Sequence, residues 1–453
     1  MTLPDYANWP FWPERRSDAD QARWWDECYV AAAADRQLQS AYHWFLLVGG
    51  PGSGKTVARR AWERNQTGNS LVLPYPPERW PGSPKAWFPD NPSHLSQMMA
   101  AAGQAVADRL QQQPALLDAL DAFQREFLRA LLQFMGGERH YRRFVAALPH
   151  AYAEALLAVA VTDDFFGDGH SWRGVQSQIE ELSQLLRGLG LRRAVYVIDP
   201  PTPLGPEHAA GLADLFGWLD LTDNPGFAVA AVVPVELLAA GSVLVRARGR
   251  AGLVYTDWTP SACHRVAERH IRAALPEAPA APLAAWLSDE ALADLDALVA
   301  AEYGRPTPAA WAALAETLLY LTRRAEKRLP APLPPTTLPW LKAEYFRRHV
   351  RLALDPRRGG VWRGPRLVPL DEQPLRFLQL LQQRGGRPVN WDDDALRLLA
   401  GSKGNVHSLA SRARRAIEPV ADHQVYLCNR RGDDGGYWLE NCAPGVADRL
   451  VTG

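Results

Sequence analysis

Residues 44–64 read WFLLVGGPGSGKTVARRAWER. An apolar run, Phe45 to Val48, enters a glycine-rich turn and then a helix-forming stretch. From Gly49 to Thr56 the turn spells G-x-x-x-x-G-K-T between a strand and a helix, the setting in which this spacing carries chemistry. Gly49, Gly50, Gly52 and Gly54, with Pro51 and Ser53 between them, let backbone N–H groups converge on phosphate oxygens. The helix that opens through Val57 adds the positive end of its dipole. Lys55 is then set to reach the β- and γ-phosphates, and the Thr56 hydroxyl to ligate Mg²⁺. The reading is an ATP·Mg²⁺ site, with Gly49–Val57 as binding residues and Lys55 and Thr56 in catalytic roles.

Such a site needs a carboxylate for the metal. The apolar run Ala194–Ile198 ends on Asp199, as a buried parallel strand ends at a ligand site. A helix over roughly 172–189 precedes it, supplying the crossover that parallel strands require. Asp199 is therefore the second metal ligand and third catalytic candidate. A further apolar strand, Phe227–Val233, ends at Pro234 with Glu236 close behind, and another spans Gly252–Thr256. Arg246, Arg248 and Arg250 lie just before it; they read either as a solvated basic loop or as an arginine finger for a neighbouring subunit.

The succession GGPGSGKT, VYVIDPP, FAVAAVVP and GLVYTDWTPSACHRVAERHIRAAL resembles the AAA+ and STAND P-loop ATPases. The resemblance covers roughly residues 30–325. It implies a helical lid after the last core strand and a Gly-x-Pro signature near the adenine, here Gly304, Arg305 and Pro306. In that family a glutamate commonly follows the metal aspartate and a polar sensor ends the next strand. This sequence has Pro200 and Pro234 there. Both departures bear on hydrolysis rather than on binding, and they match the slowly hydrolysing STAND switches.

With 453 residues, two to four domains are expected. Apolar content of 47% and charged content of 22% exclude a disordered chain. Net charge is zero, so any nucleic-acid surface must be local. Cys28, Cys263, Cys428 and Cys442 are far apart, which argues against a zinc site or disulfide framework. Without an apolar leader or spanning run the expectation is a cytoplasmic protein with no membrane contact. Between the two phosphate-site motifs, residues 76–190 read as a helical insertion with helices over 95–111, 114–135, 141–161 and 172–189. Asp163 and Asp164 are read as a turn.

The proline-rich stretch 328–339 marks a boundary. Beyond it, NVHSLASRARRAIEPV, QVYLCN and RRGDDGGYWLE resemble the winged-helix domain of OmpR-type response regulators. Val406, Leu409, Ala410, Ala413 and Ile417 form an apolar face. His407, Ser408, Ser411 and Arg412, with Arg414 and Arg415, are left as a face for a DNA major groove, and Arg430 and Arg431 as a wing. Residues 341–453 hold 19 Lys/Arg against 13 Asp/Glu, which makes this part locally basic. A protein-binding winged helix is the alternative, since Asp433 and Asp434 would repel phosphate.

The expected fold class is an α/β P-loop NTPase core with a large helical insertion, a helical lid and a C-terminal winged helix. The expected boundaries are 1–29 for an N-terminal segment, 30–258 for the core, 259–327 for the lid, 328–340 for the linker and 341–453 for the winged helix. The leading functional expectation is an ATP-binding, slowly hydrolysing switch of bacterial defence or mobile-element control. It self-associates when ATP-bound and acts through double-stranded DNA or a separate effector protein. The alternatives are a DNA-dependent AAA+ ATPase (a loader or transposition regulator), an ATP-responsive transcription regulator and a non-catalytic scaffold.

Overall fold

The structure is a computed structural model. It describes residues 18–40, 44–65, 69–83, 85–86, 93–163, 165–166, 172–200, 204–217, 225–239, 242–249, 251–276, 278, 280–324, 333–430 and 435–443. The first half of the chain runs α1 (Asp18–Glu27), α2 (Ala33–Ser40), β1 (Trp44–Gly49), α3 (Lys55–Arg64), β2 (Ser70–Pro74), α4 (His94–Gln112), α5 (Ala122–Ala146), α6 (His150–Leu157), α7 (Trp172–Gly188), β3 (Arg193–Ile198), α8 (Ala209–Gly217), β4 (Phe227–Pro234), α9 (Val235–Ala239), α10 (Ser242–Ala247) and β5 (Gly252–Tyr255). Four helices follow, α11 (Pro260–Ala274), α12 (Pro282–Trp286), α13 (Asp289–Tyr303) and α14 (Pro308–Arg324). The C-terminal part runs α15 (Leu338–His349), β6 (Leu352–Asp355), β7 (Gly360–Arg363), β8 (Arg366–Pro369), α16 (Glu372–Gln383), α17 (Asp394–Ala400), α18 (Lys403–Ile417), β9 (Leu427–Arg430) and β10 (Gly436–Leu439).

The chain divides into two compact units, residues 32–50 with 54–257, and residues 1–31 and 51–53 with 258–453. The first unit is built on a five-stranded sheet in the order β2-β3-β4-β1-β5. All its pairings are parallel. Every residue of β1 and β3 is buried, and all of β4 except Pro234. This is why these strands read as unbroken apolar runs: helices cover both faces of a parallel sheet. The outer strands β2 and β5 are only partly buried. The chain leaves β1 toward one side for β2, β3 and β4, then crosses to the other side for β5. Loops at the C-terminal ends of β1 and its neighbours therefore face a topological switch point, where such sheets hold ligands.

The insertion differs in detail from its sequence reading. Residues 114–119 form a 3₁₀ turn, and α5 then continues to Ala146, past the expected end at Met135. It does so through a kink at Gly136 and Gly137, where Gly137 has φ 68°. A glycine pair bends the helix there without ending it. The expected helix over 141–161 is interrupted, because Pro149 holds an extended conformation and α6 starts only at His150. Asp121 begins α5 with a reciprocal capping box to Gln124. These helices share one apolar core with the sheet, including Met98, Phe127, Leu131 and Tyr196. The Tyr196 hydroxyl donates to the Met98 carbonyl at 2.9 Å.

In the second unit α11–α15 and the C-terminal elements share a second core centred on Trp311, Phe346 and Phe377. Strands β6-β7-β8 form an antiparallel meander, and β9 and β10 a two-stranded hairpin. The helix after the proline-rich stretch begins at Leu338, inside the expected linker, with Pro339 in its first turn. Helix α17 starts at Asp394, because the Asp393 carboxylate caps the N–H groups of Ala395 and Leu396. The residues read as the apolar face of α18 (Val406, Leu409, Ala410, Ala413 and Ile417) are the ones buried.

Candidate functional site

Strand β1 delivers the chain to Gly49, and the loop turns back into α3 at Lys55. Gly52 and Gly54 have φ of 67° and 81°, a left-handed conformation that favours glycine. A glycine loop of this kind can turn its N–H groups toward a bound anion. The Lys55 ammonium donates to the carbonyls of Gly49 and Gly50, both at 2.8 Å, and so lies over the hollow of the loop. Pro51–Ser53, the tip of the loop, group with the second unit. There the Gly52 carbonyl accepts from the Ala309 N–H at 3.3 Å. The Trp258 indole donates to the Ser53 carbonyl at 2.8 Å. A Cβ on Gly52 would stand 3.0 Å from Thr307 Cγ2.

Asp199 directly follows β3, and its Oδ1 accepts from the Thr56 hydroxyl at 3.2 Å. Two residues separated by 143 positions thus meet at the mouth of the loop. A hydroxyl beside a carboxylate offers oxygen ligands suited to hydrated Mg²⁺, and the lysine over the loop a cation for a phosphate chain. Bound there, Mg²⁺ would supply neutralisation of phosphate charge. Thr56 and Asp199 would hold it, and Lys55 and the loop amides would hold the phosphates.

The departures also have a place. Pro200 follows Asp199, and Pro234 ends β4 in register with Gly49. The strand beside the glycine loop therefore ends on a side chain that can neither accept nor donate. Glu236 is exposed in the first turn of α9. Val57 is half-buried in the first turn of α3. Arg246 and Arg248 are exposed in and just beyond α10, and Arg250 lies outside the described residues.

Sequence reasoning missed Arg59. Its Nε donates to Asp199 Oδ2 at 2.8 Å, and its Nη1 to Glu63 Oε2. The signal was present, since Lys55, Arg59 and Glu63 recur every four residues and so share a helix face. The partner 140 positions away was not visible.

In the second unit Gly304 caps α13 with φ 73°, and Arg305 and Pro306 connect to α14. Glu302, two residues earlier, is 5% exposed and pairs with Arg363 of β7 through contacts of 2.9 and 2.5 Å. Arg363 also donates to the Ile417 carbonyl at the end of α18 at 3.0 Å. On α18, Ser408, Ser411, Arg412 and Arg415 are exposed on one side. Arg412 reaches Gln373 at 3.3 Å. The His407 ring is 2.7 Å from the Tyr437 hydroxyl, so it is oriented by β10. Arg414 departs from the expected outward face: it is half-buried and donates to the Leu427 carbonyl and Asn429 Oδ1, tying the helix to β9. Arg430 is exposed at the end of β9, and Arg431, Asp433 and Asp434 lie outside the described residues.

No protein-family model matches the chain, and no curated protein matches it in sequence. Among solved structures it is similar to the Orc1 protein of Aeropyrum pernix in complex with DNA, at 14% identity over 91% of this chain and 90% of that one, with a TM-score of 0.35. It is similar to the Walker-type ATPase PABY2304 of Pyrococcus abyssi at 12% identity, over 90% and 92% of the two chains, with a TM-score of 0.36. Cdc6p of Pyrobaculum aerophilum aligns at 12% identity over 96% and 93%, with a TM-score of 0.34. No described helix is long and apolar enough to cross a membrane.

Proposed function

We propose that this chain is a nucleotide-dependent, DNA-associated P-loop ATPase, with ATP and Mg²⁺ as its ligands. The observation that carries the nucleotide half is the Thr56–Asp199 contact of 3.2 Å at the mouth of a left-handed glycine loop. A glycine turn that spelled the motif by chance would have no reason to meet an aspartate from a strand two places away in the sheet. In this reading the loop amides and Lys55 hold the phosphates, Thr56 and Asp199 serve the metal, and Gly304 and Pro306 belong to a lid that senses the base.

The DNA half rests on the second unit. Residues 341–453 are read as a winged helix, with α18 as its groove-entering helix. Ser408, Ser411, Arg412 and Arg415 supply an exposed polar and basic side. Arg430 serves as the start of a wing. Arg414 is assigned to holding the hairpin and not to DNA. The Glu302–Arg363–Ile417 chain supports a mechanical tie between the lid signature and that helix. Nucleotide state would then bias DNA affinity by reciprocal linkage.

A second reading is favoured by Pro200 and Pro234. With no acid after Asp199 and no polar group at the β4 tip, the protein would hold ATP as a slow switch that recruits a partner and self-associates. Measuring affinity for a labelled duplex over a range of salt, with ATP, with ADP and with no nucleotide, tests the main reading. It predicts tighter binding in one nucleotide state and a steep salt slope. Affinity that ignores both nucleotide and salt would sink it.

A further inference from the structure

Arg59 is a buried cation for which the phosphate chemistry above has no use. It lies on α3 one turn beyond Lys55, held from two sides. Its Nε donates to Asp199 Oδ2 at 2.8 Å, and its Nη1 to Glu63. The Arg59 and Asp199 side chains are 11% and 10% exposed. Thr56 engages the other carboxylate oxygen, Oδ1, at 3.2 Å. Both oxygens of the metal-site aspartate therefore already have partners within the protein, one of them a full positive charge.

We propose that Arg59 is a built-in monovalent counter-ion for Asp199, and that it makes nucleotide binding by this protein weakly dependent on divalent metal. The proposal rests on the nucleotide reading above and adds a residue and a property to it. A carboxylate withdrawn from water requires a paired charge. Arginine supplies one at every accessible pH, in a planar fork whose orientation the Glu63 contact fixes. The aspartate then presents about one unit less negative charge to an incoming divalent cation. At short range in a partly dry site, that difference is worth at least about tenfold in metal affinity. Phosphate charge is met instead by Lys55, the loop amides and the helix N-terminus, none of which needs metal. The opposite role is equally concrete: a brace that aims Asp199 at the metal would strengthen metal binding rather than weaken it.

The two roles give opposite signs on removing Arg59. The experiment uses the full chain with a fluorescent ADP analogue, measured in Mg²⁺ and in EDTA. It adds a Mn²⁺ titration of the ADP-bound protein, followed by the electron paramagnetic resonance signal of free Mn²⁺. Wild type is expected to lose less than about fivefold in ADP affinity on going to EDTA, and Arg59→Gln more than about twentyfold. Mn²⁺ should bind the Arg59→Gln complex about tenfold more tightly than the wild-type complex. Arg59→Lys, which keeps the charge, should follow wild type. Mn²⁺ affinity that is unchanged or weaker in Arg59→Gln overturns the proposal in favour of a brace. Should Arg59→Gln fail to fold, the wild-type comparison decides: ADP binding that collapses in EDTA overturns the proposal. Wild type that binds no ADP analogue even with Mg²⁺ overturns the nucleotide reading itself, a different result from a metal-dependent wild type.

Discussion

Truncating Glu302 to alanine should unfold the second unit at markedly lower denaturant. Glu302 accepts two contacts from Arg363, at 2.9 and 2.5 Å, and one from Arg366 at 3.1 Å. The Glu302 and Arg363 side chains are 4% and 7% exposed, whereas Arg366 is 45% exposed. The Arg366 contact is solvent-screened and contributes little. The two Arg363 contacts are charge-assisted and buried, worth about 1.5–3 kcal/mol each on removal. After truncation the buried guanidinium keeps the Ile417 carbonyl as a partner, too little for a full charge. The loss should come to about 3–5 kcal/mol, the usual cost of breaking a buried pair from one side. With a slope of roughly 3 kcal/mol per molar urea, the midpoint should fall by about 1 M or more. Glu302→Leu combined with Arg363→Met should lie closer to wild type than either single change, because no orphaned charge remains. Urea unfolding followed by far-UV circular dichroism reads both. A Glu302→Ala loss below about 1 kcal/mol, or additive single changes, would refute the reasoning.

Lys55→Ala should weaken ATP binding by about a hundredfold or more, read by calorimetry, since it removes the ammonium that lies over the loop. Arg412→Ala with Arg415→Ala should lower duplex affinity and reduce the slope of log affinity against log salt by about 2; an unaltered slope points to a protein partner for that face. His94 should destabilise the first unit in acid. Its burial holds the ring's pKa down at about 4 against an ordinary 6.5, so the unfolded chain binds the proton more readily. Stability should be intact above pH 6.5, fall as the pH drops toward 4 and level off below, by about 3 kcal/mol in total. His94→Gln should flatten that part of the stability–pH curve.

The central strands were legible because a buried parallel strand is a continuous apolar run. Phe45–Val48, Ala194–Ile198 and Phe227–Val233 all lie inside β1, β3 and β4. Strand β2 escaped because Ser70–Pro74 is short, lies at the sheet edge and ends in proline. Strands β6 and β7, four residues each, carry too few positions for a period to show. In the insertion, periodicity found helical character but not its breaks, since a Gly-Gly pair can bend a helix or end it and only packing decides. The strand–loop–helix form around the glycine loop could be read because it depends on local spacing. Arg59, Glu302 and Arg414 could not, because each role depends on a partner brought from far along the chain.

The most direct test is steady-state ATP turnover by the purified protein, with and without duplex DNA, beside Lys55→Ala. A DNA-associated ATPase predicts turnover above that variant and raised by duplex. Turnover equal to Lys55→Ala under both conditions, with ATP tightly bound, would contradict the ATPase and leave Asp199–Pro200 as part of a site that holds nucleotide without consuming it.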